Sequence, residues 1–428
     1  MSSYPRLRRA MDAIPLIDAH SHVLHHDIIP QTPDGPYDVL PLARLLLDFN
    51  TRPVFLSAGF PAEAVDRILK GHVSPDTQKQ LLLSCRGIWS VQELRFLLRG
   101  LKKLYGIDVP CITPENWDTV NCILAREAAP LPQLLERIFQ EENIQSSVLN
   151  LWADRGFVYL TQRDRSPENG RYLFSITVDY RSLVPFGKHI GYYAAYFSMP
   201  QETLADYEAL LERICRWAVL EQGVRAFKST EMYSRRLDYQ PRTRQEAERC
   251  YKPRRTAEED RILSDYHAFF LCRIAQELNV PVQFHTGNVW GGFVPADTSP
   301  EHLATLIRAF PWVRFDLLHG GDPYFGITAL MGRGFSNVFV NMSAMPTHSA
   351  AEFEHWLSVY LDRIPSTKLL LGWDLFTPEL LCGAAAFTRD MLARVLSQKV
   401  DAGLFSEELA LEVAQDLCWR NAQTLYGR

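Results

Sequence analysis

The stretch EDRILSDYHAFFLCRIAQELNVPVQFHTG, residues 259–287, sets the pattern by which the rest of the chain is read. Its first part, Glu259–Leu278, puts Ile262, Tyr266, Phe269, Phe270, Ile274 and Leu278 at helical spacing, so one face is apolar. A short apolar run, Val280–His285, follows at once and finishes in a histidine. A run this apolar, without polar alternation, suits a parallel strand covered on both faces.

Working outward, the same period recurs along the chain. The runs are Pro15–His22, Phe157–Leu160, Tyr172–Tyr180, Val224–Lys228, Val280–His285, Val313–His319, Asn337–Met342 and Lys368–Asp374. Between them lie amphipathic segments such as Glu202–Glu221, Glu301–Phe310 and Glu352–Ile364. Strand–helix alternation implies a mostly parallel sheet, and eight units imply closure. The expected fold class is α/β, a (β/α)8 TIM barrel. The leucine-rich segment after the first run breaks the alternation and reads as helices. We therefore expect a barrel built from residues 1–23 and 148–428, with residues 24–147 as a helical insertion. An insertion after a barrel strand sits on the catalytic face, where it forms a wall or lid. Residues Glu379–Tyr426 read as three helices closing the outer ring.

The 428 residues carry a net charge of −5 and 47% apolar character, which excludes a disordered chain. No run approaches the roughly 18 apolar residues of a membrane span. The eight cysteines form no CxxC pair and read as free thiols in a reducing cytoplasm. The expected partner is a small molecule bearing a carboxylate, with neither nucleic acid nor membrane. Large barrels often associate, so a homo-oligomer is also compatible with the sequence.

Chemistry concentrates at strand ends. The first run ends in His20-Ser21-His22, the fifth in His285, the sixth in His319 and the eighth in Asp374. All belong at the C-terminal mouth, where barrel enzymes keep their sites. Side chains two apart on a strand share a face, so His20 and His22 can converge on one point. Imidazole and carboxylate are ligands for zinc-like ions, and such a set leaves a coordination position open for catalysis. Each residue alone has a plainer reading: a turn histidine, or a helix N-cap for Asp374. The joint pattern on four strands favours an active site. His25 and His26, just beyond the pair, read as exposed loop positions.

Taken in order, Ile17-Asp18-Ala19-His20-Ser21-His22, Phe227-Lys228-Ser229, Val282-Gln283-Phe284-His285-Thr286-Gly287, Leu318-His319-Gly320-Gly321 and Leu371-Gly372-Trp373-Asp374 resemble the amidohydrolase superfamily, in its amidohydrolase-related (amidohydrolase 2) branch. Asn421-Ala422 and Leu425-Tyr426 resemble that branch's closing helix. The resemblance implies His20, His22, His285 and Asp374 as metal ligands. It implies Asp374 as general base, and His319 as ligand of a second ion or as a group acting on the substrate. Lys228 stands where two-metal members carry a carboxylated lysine. Its other reading is an ordinary ammonium facing an anionic substrate or Asp374. One or two divalent ions are implied, zinc first, with manganese or iron as alternatives.

Trp373 replaces a usual small residue and is expected to narrow the mouth or stack on the substrate. Asn341, at the seventh strand end, is a further candidate contact. Arg235 and Arg236 open a basic run that continues through Arg242, Arg244, Arg249, Lys252, Arg254 and Arg255. It reads either as a solvated loop or as an anion-steering rim at the mouth. The leading expectation is a metal-dependent hydrolase in which metal-activated water attacks a small anionic substrate, with Asp374, His319 and Lys228 as catalytic groups. A decarboxylase or sugar-acid isomerase on the same barrel is the alternative, and a non-catalytic ligand-binding barrel the rival of another class.

Overall fold

Eight parallel strands follow one another in chain order around a single sheet: β1 (Leu16–Ser21), β2 (Ile144–Leu151), β3 (Tyr172–Thr177), β4 (Ala226–Ser229), β5 (Val282–His285), β6 (Phe315–Leu318), β7 (Val338–Asn341) and β8 (Leu369–Leu370). The computed structural model describes residues 2–24, 33–162, 171–288 and 295–427; His25 and His26 lie outside them. The seam between last and first strand is sealed by backbone hydrogen bonds. Ala19 N–H donates to Leu371 C=O at 2.8 Å, Asp374 N–H to His20 C=O at 2.9 Å, and His22 N–H to Leu375 C=O at 2.8 Å. The expected (β/α)8 barrel is the fold observed.

One strand lies elsewhere than expected. Phe157–Leu160 belongs to the helix Ala153–Gln162, and the second strand is Ile144–Leu151. That strand is interrupted by Ser146, Ser147 and Asn150 because its neighbours inside the barrel are polar. Ser147 Oγ donates to Asp18 at 2.7 Å, and Asn150 Nδ2 to Ser175 and Thr177 at 3.3 Å. The expected boundary at residue 148 therefore falls inside β2, and residues 144–147 are strand.

The helices begin where side chains satisfy their free N–H groups. Thr256 and Glu259 form a capping box ahead of Ala257–Leu278, and Asn279 ends that helix at φ 53°. The insertion is helical as expected, in short pieces: Pro75–Ser84 and Gln92–Tyr105 are separated by a break with Gly87 at φ 73°. Gln92–Tyr105 docks against Pro378–Asp401 through two glycines. A Cβ on Gly100 would lie 1.9 Å from Glu379 O, and one on Gly383 2.1 Å from Phe96 O. Backbone-to-backbone approach of this kind fastens the insertion to the last βα unit.

The other end of the barrel is plugged. Leu425 and Tyr426, on the helix Asn421–Tyr426, pack with Ile17, Ala19, Val148 and Leu370. The Tyr426 phenol donates to Asp316, which also accepts from Gln283 Nε2 at 3.0 Å. Ligand access is therefore from the opposite, C-terminal mouth. Among the described residues no helix is long and apolar enough to cross a membrane.

Buried His267 joins two layers, with Nδ1 2.6 Å from Tyr207 Oη and Nε2 2.8 Å from Val178 O. Burial pushes its pKa down to about 4. Between pH 6.5 and 4 the unfolded chain takes up a proton that this folded imidazole refuses, so stability falls as pH falls through that window. The stability advantage of wild type over His267→Gln should shrink by about 3 kcal/mol from pH 7 to pH 4 in urea unfolding. A difference independent of pH would mean that the imidazole titrates normally in the fold.

Candidate active site

The seam that closes the barrel also assembles the site. His20 Nε2 lies 3.4 Å and His22 Nε2 3.3 Å from the same oxygen, Oδ1 of Asp374. His319 Nδ1 lies 3.8 Å from the other oxygen, Oδ2. The two imidazoles of the first strand do converge, as their spacing suggests. The register of β1 against β2 slips between Asp18 and Ser21, the kind of irregularity that re-aims side chains near active sites. Asp374 (φ 56°) and His319 (φ 67°) both hold left-handed backbone. This costs a non-glycine residue roughly 1–2 kcal/mol, and the surrounding hydrogen bonds must impose it.

Asp18 braces the turn from below. Its carboxylate accepts from Trp373 N–H at 3.2 Å, His20 N–H at 3.3 Å and the Ser147 hydroxyl at 2.7 Å. Around the cluster, Lys228 Nζ is 3.3 Å from His20 Nε2. His319 Nε2 is 3.2 Å from His285 Nδ1, and His285 Nε2 is 3.3 Å from the Tyr233 hydroxyl. His285, expected as a ligand, is thus engaged by His319 and Tyr233 rather than set against Asp374. The donor atoms of His20, His319 and Asp374 lie within 4.8 Å of one another.

Burial decides the protonation states. It drives the imidazoles of His20 and His285 well below their ordinary pKa, with Lys228 adding to the effect, and that of His319 to about 3. Burial opposes the charge of Asp374, but its close contacts with His22, His319 and His20, the hydrogen bond from His22 first, outweigh it and hold the carboxyl well below its usual range. Lys228 is lowered to about 8 by burial, partly offset by Asp374. Neutral imidazoles around an ionised carboxylate are the state that a divalent cation requires of its ligands. Buried His20 Nδ1 also has no hydrogen-bond partner among the described residues. The residues present therefore fit a divalent metal.

A cavity of about 590 Å³ opens over the cluster. Phe49, Trp152 and Phe376 form its apolar wall; Phe376 stacks between His22 and Phe49, each at 4.5 Å. Arg181, Lys228 and His285 lie on its polar side. Phe49 comes from the insertion, so that segment helps to build the pocket.

Several expected contacts lie outside this cavity. Trp373 is buried, with its indole N–H donating to Thr388 Oγ1 at 2.9 Å. Asn341 is buried under the site and donates to Asp316 at 3.2 Å. Arg235 pairs with buried Asp265 at 2.8 Å, and Arg236 lies on the surface, 3.9 Å from Asp238. Most of the basic run is neutralised in the same way. Arg242 meets Asp265, Arg244 meets Glu208, Lys252 meets Glu259 and Arg255 meets Asp260. These pairings hold the loop after β4 against Ala257–Leu278 and, through Glu208, against Leu204–Arg216, so most of its cations are spent away from the cavity.

Arg181, by contrast, has no ion-pair partner among the described residues; its guanidinium lies 5.7 Å from the Tyr233 ring centroid. No motif in the sequence singles it out, although it directly follows Asp179 and Tyr180 at the third strand end. Trp152 follows a strand too polar to be recognised from its apolar content. Phe49 follows no periodic pattern that marks it out.

Residues 204–428 match the amidohydrolase family. Protein fluG of Emericella nidulans is 30% identical over 226 residues, covering 49% of this chain and 26% of fluG, so the match spans about a quarter of that relative's length. A uronate isomerase from Thermotoga maritima superposes with a TM-score of 0.78 at 13% identity, covering 100% of this chain and 98% of its own. A glucuronate isomerase from Caulobacter crescentus gives 0.77 at 14% identity, covering 99% and 94%. At such identities the likeness is one of fold, here extending through the insertion.

Arg235→Met should lower stability by roughly 2–3 kcal/mol in urea unfolding, since Asp265 keeps only Arg242, while any divalent-metal binding stays at the wild-type value. A variant of unchanged stability but weakened divalent-metal binding would return Arg235 to the site.

Proposed function

Because the chain belongs to the amidohydrolase family, we propose that it is a metal-dependent hydrolase acting on a small anionic substrate in the cavity over Asp374. The observation that carries this reading is the ionised Asp374 carboxylate at the barrel mouth with the neutral imidazoles of His20 and His319 beside it. His20, His22 and Asp374 would hold one divalent ion, zinc by its preference for imidazole and carboxylate. Such a cation, when bound, polarises a substrate oxygen and makes water more acidic.

The remaining work belongs to the chain's own groups. Asp374 takes the proton of the attacking water at Oδ2, the oxygen on the side of His319. His319 is held by Ser343 and by His285, whose other nitrogen meets Tyr233. That row orients the His319 ring toward the carbonyl or leaving group. Lys228 is unmodified in this reading, and its ammonium, together with Arg181, binds the substrate's negative charge. The apolar wall of Phe49, Trp152 and Phe376 packs on the substrate body and keeps water from it. Eight cysteines present as free thiols support a reducing compartment such as the cytoplasm.

The row Tyr233–His285–His319 favours one second reading. A line of neutral donors and acceptors also suits proton transfer between substrate carbons, as in an isomerase, or protonation of a carbanion after decarboxylation.

Metal analysis together with a substrate panel tests these readings. Zinc near one per chain is expected, and two per chain with a carboxylated Lys228 would overturn the one-ion assignment. Turnover of amides, esters or lactones in H2-18O should place the label in the product. Solvent deuterium on carbon, or release of CO2, would move the reaction to the second reading. Asp374→Asn should lower kcat by about 10³-fold. Arg181→Met should raise KM tenfold or more for an anionic substrate while leaving kcat nearly unchanged.

A further inference from the structure

The insertion reaches the turn that carries Asp374 through one side chain. Asn50 lies between the helices Pro41–Leu46 and Arg52–Ser57. Its Nδ2 donates to the Asp374 carbonyl at 2.9 Å, and its Oδ1 accepts from Phe376 N–H at 2.9 Å. A carbonyl and the N–H two residues further on are the two groups that a residue of an adjacent parallel strand engages. The Asn50 amide thus stands in for a missing strand. β1 already uses the Asp374 N–H and the Leu375 carbonyl, while Ser21 Oγ accepts from Leu375 N–H at 3.2 Å. Asn50 takes the Asp374 carbonyl and the Phe376 N–H, which β1 leaves open.

Those groups sit where the backbone is strained. Asp374 holds left-handed backbone at φ 56° while its carboxylate faces His20 and His22. A left-handed residue persists only when its surroundings over-determine it. Asn50 is itself held in place beforehand. Thr51 Oγ1 donates to Leu45 C=O at 2.8 Å, Arg52 N–H to Asp48 C=O at 2.8 Å, and Arg52 Nε to Leu47 C=O at 3.2 Å.

We propose that Asn50 is a positioning residue of the metal site: by clamping residues 374–376 it fixes the angle at which Asp374 presents its carboxylate, and so couples the insertion to metal affinity. This rests on the reading of Asp374 as a metal ligand. Partners that orient ligands in this way commonly change metal affinity by 10–100-fold when removed.

The test uses the full-length, metal-stripped protein and Zn²⁺ alone, titrated in competition with a chromophoric chelator. Asn50→Ala and Asn50→Asp should each weaken Zn²⁺ binding tenfold or more with circular dichroism unchanged. Asn50→Asp keeps the size and the acceptor for Phe376 N–H but sets a carboxylate against the Asp374 carbonyl. It carries the test if Asn50→Ala does not fold. Asp374→Asn, measured alongside, separates the role of the ligand from the role of its clamp. If Asp374→Asn loses affinity and both Asn50 variants bind within twofold of wild type, Asn50 is only a structural contact and the proposal is wrong. A fall in the urea midpoint without a change in Zn²⁺ affinity overturns it equally. If Asp374→Asn binds Zn²⁺ as wild type does, the ligand reading of Asp374 falls and the proposal falls with it.

Discussion

An ionised carboxylate held at the closing seam of the barrel is the constraint on which the rest of this structure depends. Asp374 lies where the chain after β8 returns to β1, and the hydrogen bonds that close the barrel also bring it to His20 and His22. Burying such a charge is costly unless every lone pair is met. Here three imidazoles face the carboxylate, and a buried lysine sits beside His20. The same burial keeps the imidazoles of His20 and His319 unprotonated. Folding the barrel and gathering these groups at its mouth are therefore one event.

Different parts of the chain build the pocket. The barrel strands supply the polar cluster, while the apolar wall comes from Phe49 of the insertion, Trp152 after β2 and Phe376 after β8. The wall is anchored to the seam, because Phe376 stacks on His22 and Asn50 binds its backbone N–H. A change in the insertion can thus alter both the shape of the pocket and the pose of Asp374. The loop after β4 shows the opposite logic: its arginines are consumed by Asp265, Glu208 and Asp260, and its role is to hold the outer helices.

How much is legible in the sequence depends on how local each signal is. β5, with a helix of regular apolar period before it and a histidine at its end, reads directly, as do His20, His22, His319 and Asp374. β2 does not: a strand whose inward side chains hydrogen-bond Asp18, Ser175 and Thr177 lacks the apolar continuity that marks its neighbours. Trp373 reads as a pocket residue because its neighbour is Asp374. Its indole is buried against Thr388 instead, where residues outside the turn hold it. Arg235 and Arg236 read as a cationic rim because Asp265, the partner of Arg235, is remote in sequence.

The sequence by itself determined the α/β period, the closure of eight units into a barrel and the four strand ends that carry histidine or aspartate. These follow from hydrophobic spacing and from the rule that strands of a parallel barrel point their C-terminal ends to one mouth. Only the tertiary structure decided which cations remain unpaired, which aromatic rings reach the cavity and how the backbone at Asp374 is held. Those properties depend on contacts between residues far apart in the chain, such as Asn50 with Asp374, whose distance is set by the packing of the whole barrel and not by any pattern along it.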